Sequence, residues 1–150
     1  MSGATGRPAL ERLRTALAGA TRFEVGPLDV EDACRQYVED GYEVTGQLRV
    51  FLANYAELTV VWKFRDWEEE VSTSVERALD APARNVRIYA KRIGSPVLPV
   101  GAAFSTNEVL LLAENGDILL GGDAGIQRVA HDFEDAVHAL VTGNWDKTFF

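Results

Sequence analysis

The feature of this sequence that most restricts its fold is the order of elements in residues 86–143. Residues 86–94 (VRIYAKRIG) have apolar side chains at helical spacing before a glycine, and residues 97–101 (VLPVG) form a Pro-Val-Gly step into a β-prone region. Residues 108–121 (EVLLLAENGDILLG) place two apolar runs around Asn115-Gly116, a pair that favours positive φ angles in a type I′ turn. Residues 133–143 (FEDAVHALVTG) have a wide apolar stripe closed by a glycine. This order predicts a helix, a strand, a hairpin and a closing helix.

Periodicity in the N-terminal half predicts three helices followed by an antiparallel pair of strands. Pro8 suits the first turn of one helix, Asp29 is a suitable N-cap for a second that stops at Gly41, and a third covers residues 44–55. Residues 58–64 then alternate between two faces with period two, as a strand does. The β-prone residues 71–75 (VSTSV) are expected to pair back on that strand.

Together these elements predict a single α+β domain over residues 1–150. Its mostly antiparallel sheet is expected from residues 57–75 and 97–130, covered by four or five helices, with residues 1–7 frayed. Residues 121–125 (GGDAG) lack the Lys-Ser/Thr of a phosphate loop, so they predict a plain connection. Five apolar residues of the hairpin and closing helix are expected to share one core: Leu112, Leu119, Phe133, Val137 and Leu140.

Charge and composition restrict the possible partners. The chain carries 23 acidic and 15 basic residues, a net charge of -8, which disfavours nucleic-acid backbones and favours encounter with basic proteins. The single cysteine, Cys34, rules out an internal disulfide and lies on an apolar helix stripe, where it is expected to be a core residue. The sequence has neither a signal-peptide pattern nor an apolar run of bilayer-spanning length. We therefore expect a cytoplasmic protein without a membrane partner.

The residues that most often perform catalysis form no recognisable pattern. His131 and His138 are seven residues apart, and neither has a Cys or His at metal-ligand spacing. Ser105 and His131 could be combined with an aspartate into a triad on paper, but no nucleophile motif surrounds the serine. The sequence predicts no catalytic, cofactor-binding or metal-binding residues. An enzyme or small-ligand binder would need a pocket assembled from residues distant in sequence.

The densest combination of aromatic and acidic residues is Trp67 with Glu68, Glu69 and Glu70. On a strand the three carboxylates alternate faces, so they do not form a paired acid/base site. One interpretation is a solvated strand with Trp67 packed into the domain. The other is an acidic partner-binding surface anchored by Trp67, because tryptophan is enriched in interface hot spots.

The chain resembles the SUKH superfamily, and within it the third subgroup of SUKH immunity proteins, over residues 48–143. Residues 48–58 (LRVFLANYAEL) are similar to the family's helix and turn, with Ala56 and Glu57 where the family usually has a glycine pair. The helix before the Pro-Val-Gly step, the hairpin on Asn115-Gly116 and the closing Asp-Ala-x-x-x-Leu-x-x-Gly helix follow in the family's order.

The resemblance implies a non-enzymatic α+β domain that binds and neutralises a bacterial toxin, often a nuclease or deaminase. Many such toxins are basic, which agrees with the acidic composition of this chain. The alternative is a regulatory or scaffold interaction domain of the same fold without a toxin partner. The oligomeric state is not predicted.

Overall fold

The structure, a computed structural model, describes residues 7–150. Six helices are present in this range: α1 Pro8–Ala16, α2 Val30–Glu39, α3 Gly46–Tyr55, α4 Val75–Leu79, α5 Ala83–Ile93 and α6 Phe133–Thr142. Seven strands accompany them: β1 Arg22–Val25, β2 Leu58–Phe64, β3 Trp67–Ser72, β4 Val97–Ala103, β5 Glu108–Ala113, β6 Ile118–Gly122 and β7 Gly125–Ala130. The prediction of a single α+β domain is confirmed.

The strands form one sheet in which spatial order follows sequence order, from β1 to β7, and every neighbouring pair is antiparallel. Consecutive connections between antiparallel strands alternate between the two ends of a sheet. The β2–β3, β4–β5 and β6–β7 connections, residues 65–66, 104–107 and 123–124, therefore lie at the same end. We call this end of the sheet the tip end.

Side-chain caps begin α2 and α6 where the sequence predicts them. The Asp29 carboxylate accepts a hydrogen bond from the Asp32 N–H at the start of α2, and Asp132 does the same for Asp135 in α6. Such bonds satisfy backbone donors that have no partner inside the helix. Gly143 ends α6 at φ 74°, a left-handed conformation that glycine adopts without a Cβ clash.

Apolar residues on the two faces of the sheet form two separate clusters. The larger cluster packs α1, α2, α3 and α6 against one face, and it includes the buried Cys34. The smaller one packs α5 against the other face of β4–β7. Alternation along β5 divides its side chains between them, since Leu110 and Leu112 belong to the larger cluster and Leu111 to the smaller.

This division corrects one expectation about the core. Leu112, Phe133, Val137 and Leu140 share the larger cluster, but Leu119 lies in the smaller cluster on the opposite face. Leu119 pairs with Leu111, whereas Leu112 pairs with Ile118. Residues directly opposite in a ladder point to the same face, so Ile118 takes the place that was predicted for Leu119.

The hairpin between β5 and β6 has a three-residue loop rather than the predicted type I′ turn. Gly116 has φ 97°, but Asn115 is not at positive φ. The Gly116 N–H donates to the Ala113 carbonyl, and the Ala113 N–H donates to the Asp117 carbonyl. The Asn115 side chain accepts from the Asp117 N–H at 3.0 Å, so its amide stabilises the loop without a left-handed backbone.

Three further segments differ from expectation. β1 lies where the sequence predicted only a connection. The strand expected at residues 71–75 is β3, Trp67–Ser72, and Val75 begins the short helix α4 instead. Gly121, Gly122 and Gly125 belong to β6 and β7, leaving Asp123-Ala124 as the turn. The fraying predicted for residues 1–7 falls mostly on residues 1–6, which lie outside the described residues. Arg7 donates to the carbonyls of Leu52, Ala53 and Ala56, which ties the start of α1 to the end of α3.

Candidate partner-binding surface

The β2–β3 hairpin extends past its neighbours at the tip end of the sheet. β1 pairs with β2 only as far as Val61, and β4 pairs with β3 only at Val71 and Ser72. Residues 63–70 therefore form a two-stranded projection, which we call the hairpin tip. Both of its outer edges lack a neighbouring strand.

Two exposed aromatic rings lie on the hairpin tip. Phe64 and Trp67 are cross-strand partners with ring centroids 5.4 Å apart in an edge-on arrangement, and 39% and 47% of their surfaces remain exposed. The Arg65 guanidinium lies 5.4 Å from the centre of the Phe64 ring. Large aromatic rings are usually buried inside a domain, so an exposed pair on a projection is typical of a contact surface.

The three glutamates of the hairpin tip have different environments. Glu69 is held by two donors, the Trp67 indole N–H at 3.0 Å and the Ser105 backbone N–H at 2.9 Å. Glu70 accepts from the Arg77 guanidinium at 2.6 Å. Glu68 lies opposite Lys63 in the ladder, and among residues 7–150 no hydrogen bond or ion pair of its carboxylate is found.

Alternation places these side chains on both faces of the hairpin. Trp67 and Glu69 lie opposite Phe64 and Trp62, on the face of the larger cluster. Glu68 and Glu70 lie on the other face, where Arg77 of α4 reaches Glu70. The expected alternation of the carboxylates is therefore present.

The hairpin tip is tied to the β4–β5 connection on both faces. On one face the Ser105 N–H reaches Glu69, and on the other Arg77 bridges Glu70 to the Asn107 side-chain oxygen at 2.9 Å. The Phe104 N–H donates to the Glu70 carbonyl at 2.7 Å. These bonds fix the orientation of the projection relative to the sheet.

A cleft of about 580 Å³ lies beside the hairpin tip. The α4–α5 corner forms one wall, with Arg77, Asp80 and Asn85. The start of β5, with Glu108, and the β6–β7 connection, with Asp123, form the other. Tyr89 of α5 lines its interior, and the pKa of the Tyr89 phenol is raised by burial and by the nearby charges of Asp123 and Glu108. Sequence analysis missed this cleft because its residues come from segments far apart in the chain.

The histidines do not assemble a catalytic group. His131 follows β7, at the opposite end of the sheet from Ser105. Its Nδ1 atom lies 2.8 Å from an Asp117 carboxylate oxygen. His138 is exposed on α6. Across residues 7–150 no group of three or more His, Cys, Asp or Glu side chains could hold a metal ion. Within the same residues, no helix is both long and apolar enough to cross a bilayer.

Comparison with protein families gives a match to SUKH-3 immunity protein over residues 27–143. The chain belongs to the SUKH-3 immunity protein family. The match covers α2 through α6 and so includes the hairpin tip and the cleft. Comparison with curated proteins and with solved structures gave no match.

The turn after α3, at Ala56 and Glu57, contains a residue in the left-handed conformation. Glu57 has φ 63°, the left-handed conformation for which glycine is the usual residue. Its N–H donates to Thr73 and its carbonyl accepts from Gly26, while its carboxylate accepts from the Val75 N–H at 2.9 Å. The Glu57 backbone is therefore held in a left-handed turn, and its side chain adds a bond to the start of α4.

Proposed function

We propose that this SUKH-3 domain is an immunity protein that neutralises one cognate toxin by binding it stoichiometrically, in the cytoplasm of the cell that makes the toxin. The family match over residues 27–143 carries this proposal. The hairpin tip supports it, because the tip combines an aromatic pair with carboxylates on a fixed projection, as interface hot spots do.

Backbone conformations at the tip end add a second line of support. Among the described residues, positive φ angles outside glycine occur at Glu57, Arg65, Phe104 and Asn107, and the last three lie in tip-end connections. Left-handed conformations are costly for bulky side chains and persist where surrounding contacts hold them. Phe104 illustrates this, because its ring stacks on Trp145 with centroids 6.2 Å apart and also meets Trp62. Such conformations cluster at binding sites.

The chemistry of the tip favours a basic toxin, such as a nuclease or deaminase. The hairpin tip carries four carboxylates, Asp66 and Glu68–Glu70, against two cations, Lys63 and Arg65. A toxin that binds nucleic acid needs a basic groove, and an acidic projection with aromatic anchors can occupy such a groove and exclude the substrate. Neutralisation then needs no chemical reaction by the immunity protein.

Co-expression tests the proposal directly. Each protein encoded by a gene adjacent to this one is induced in a heterologous bacterium with and without this chain, and growth is measured. We expect growth only with the chain present, and a one-to-one complex by size-exclusion chromatography with light scattering. Growth arrest despite equal expression of the folded chain would refute immunity and leave the regulatory or scaffold function as the alternative.

The variant Trp67→Ala tests whether the hairpin tip is the surface that contacts the toxin. We expect the variant to weaken the purified complex by about 2 kcal/mol or more, mainly through faster dissociation, because a desolvated aromatic anchor is lost. Val50→Ala, on an exposed apolar residue of α3, is the matched control. Unchanged affinity with a lower melting temperature for Trp67→Ala would show that Trp67 is structural and would remove the hairpin tip from the proposal.

A further inference from the structure

The cleft beside the hairpin tip exists because the sheet has small residues on its floor. Ala102, Val109 and Gly121 are direct neighbours across β4, β5 and β6, on the face covered by α5. A Cβ on Gly121 would lie 3.0 Å from the Tyr89 ring, so the missing side chain lets this ring lie against the backbone. A Cβ on Gly122 would similarly lie 3.1 Å from Glu108.

The rim of the cleft is negatively charged. Asp80, Glu108 and Asp123 line it, and the one cation among its lining residues is Arg77. That guanidinium is already bound by Glu70 and by the Asn107 oxygen. The basic residues of the neighbouring helix α5 (Arg84, Arg87, Lys91 and Arg92) do not line the cleft. The cleft therefore has carboxylate acceptors in excess over cations, with an aromatic face between them.

We infer that the cleft receives a basic side chain, an arginine or a lysine, from a loop of the bound toxin. Asp123 and Glu108 would accept from the cation at the rim, and Tyr89 would offer its ring face to the cation or its alkyl stem. A volume of about 580 Å³ suits a protruding loop better than an isolated ion. This inference rests on the proposed immunity function and names a second contact for the same partner.

The geometry of the tip end supports one partner that contacts both features. Arg77 lines the cleft and bonds to Glu70 of the hairpin tip, so the two surfaces meet at one side chain. The carboxylates of the hairpin tip and of the cleft together create one negative electrostatic field, which attracts a basic surface and orients it during encounter. The cleft supplies a recess where the tip supplies a projection, and recessed contacts exclude water more fully.

A peptide titration tests the cleft without the toxin. The probe is a short capped peptide with one arginine, and its control replaces arginine by citrulline, which has nearly the same shape without the charge. In two-dimensional NMR we expect the arginine peptide to shift the amide signals of Tyr89, Gly121 and Asp123, and the citrulline peptide to leave them unchanged. Equal shifts with both peptides, or none at the cleft, would overturn the inference.

The second test measures the affinity of cleft variants for the purified toxin. Asp123→Asn and Glu108→Gln keep side-chain size and an acceptor oxygen, and each should reduce affinity for the toxin by about tenfold, since a buried cation would lose the negative charge that balances it. Glu39→Gln, an exposed carboxylate at the end of α2, is the control for net charge. If the chain protects cells but both cleft variants bind like the unaltered protein, the cleft is refuted and immunity stands. If the chain does not protect, immunity fails, and the peptide result decides whether the cleft binds cations.

Discussion

Glu57 offers a sharp test of how a non-glycine residue is held in a left-handed turn. Its backbone is left-handed at φ 63°, and hydrogen bonds to Thr73 and Gly26 hold it on both sides. A left-handed conformation costs a non-glycine residue about 1–2 kcal/mol. The carboxylate offsets this cost through its bond to the Val75 N–H at 2.9 Å. Substitutions at Glu57 can separate the backbone contribution from the side-chain contribution.

The expected free energies of unfolding follow from these two contributions. Glu57→Ala loses the charged hydrogen bond and keeps the strained backbone, so it should destabilise by about 1.5 kcal/mol. Glu57→Gly loses the same bond but relieves about 1 kcal/mol of strain, which leaves a net cost of about 0.5 kcal/mol. Glu57→Gln keeps an acceptor oxygen and loses only the charge, so its cost should also be about 0.5 kcal/mol.

Urea denaturation followed by circular dichroism measures all three variants under the same conditions, with equal slopes required before midpoints are compared. The decisive quantity is the difference between alanine and glycine, because both lack the carboxylate. If the glycine variant is as unstable as the alanine variant, residue 57 is not held in a left-handed turn.

Four other predictions follow from the structure. Leu140→Ala should cost about 2–5 kcal/mol in denaturant melts because Leu140 is 2% exposed in the larger cluster; a loss below about 0.5 kcal/mol would place α6 elsewhere. Gly116→Val should destabilise more than Gly116→Asn, since asparagine tolerates the left-handed φ of 97° and valine does not; equal midpoints would contradict this. The Arg12 guanidinium, with help from the Tyr55 hydroxyl, lowers the pKa of Glu134. The stability contributed by this group should therefore be present above about pH 5 and be lost as pH falls through the lowered pKa. In thermal melts from about pH 6 to about pH 3, Glu134→Gln should reduce that loss of stability, and an unchanged dependence of stability on pH would refute the prediction. Glu68→Lys should lower the association rate with a basic toxin more than Glu39→Lys does, with the difference shrinking as salt rises; equal rates would remove Glu68 from the encounter surface.

Local signals in the sequence were sufficient for most of the helices and strands. Capping residues such as Asp29 and Asp132, and the glycine at 143, act through bonds to residues a few positions away, so their effects are readable from sequence. β1 was missed because four residues with one partner strand carry too short an alternation to detect. Its formation depends on pairing with β2, a contact between segments distant in the chain.

The assignment of residues to the two sheet faces could not be predicted in full. An error of one residue in the register of a strand moves a side chain to the opposite face, and the face predicted for Leu119 was wrong for this reason. A register shift between Ile118 and Leu119 against β7 adds an irregularity that apolar patterning does not reveal. The cleft depends on this same information, because its floor consists of cross-strand neighbours from three strands.

The hairpin tip and the cleft place different demands on a partner. Trp67 lies on the face of the larger cluster, whereas the cleft lies on the face covered by α5, so a toxin that contacts both must pass around the edge of the tip. Trp67 and Asp123 have no contact with each other among residues 7–150, and rigid independent contacts contribute additively. Losses from Trp67→Ala and Asp123→Asn should therefore sum in the double variant. If the double variant loses less binding free energy than this sum, the two contacts are coupled, and we expect the coupling to pass through Arg77, the side chain that joins Glu70 of the tip to the cleft. Removing the Arg77 guanidinium should then make the two losses additive.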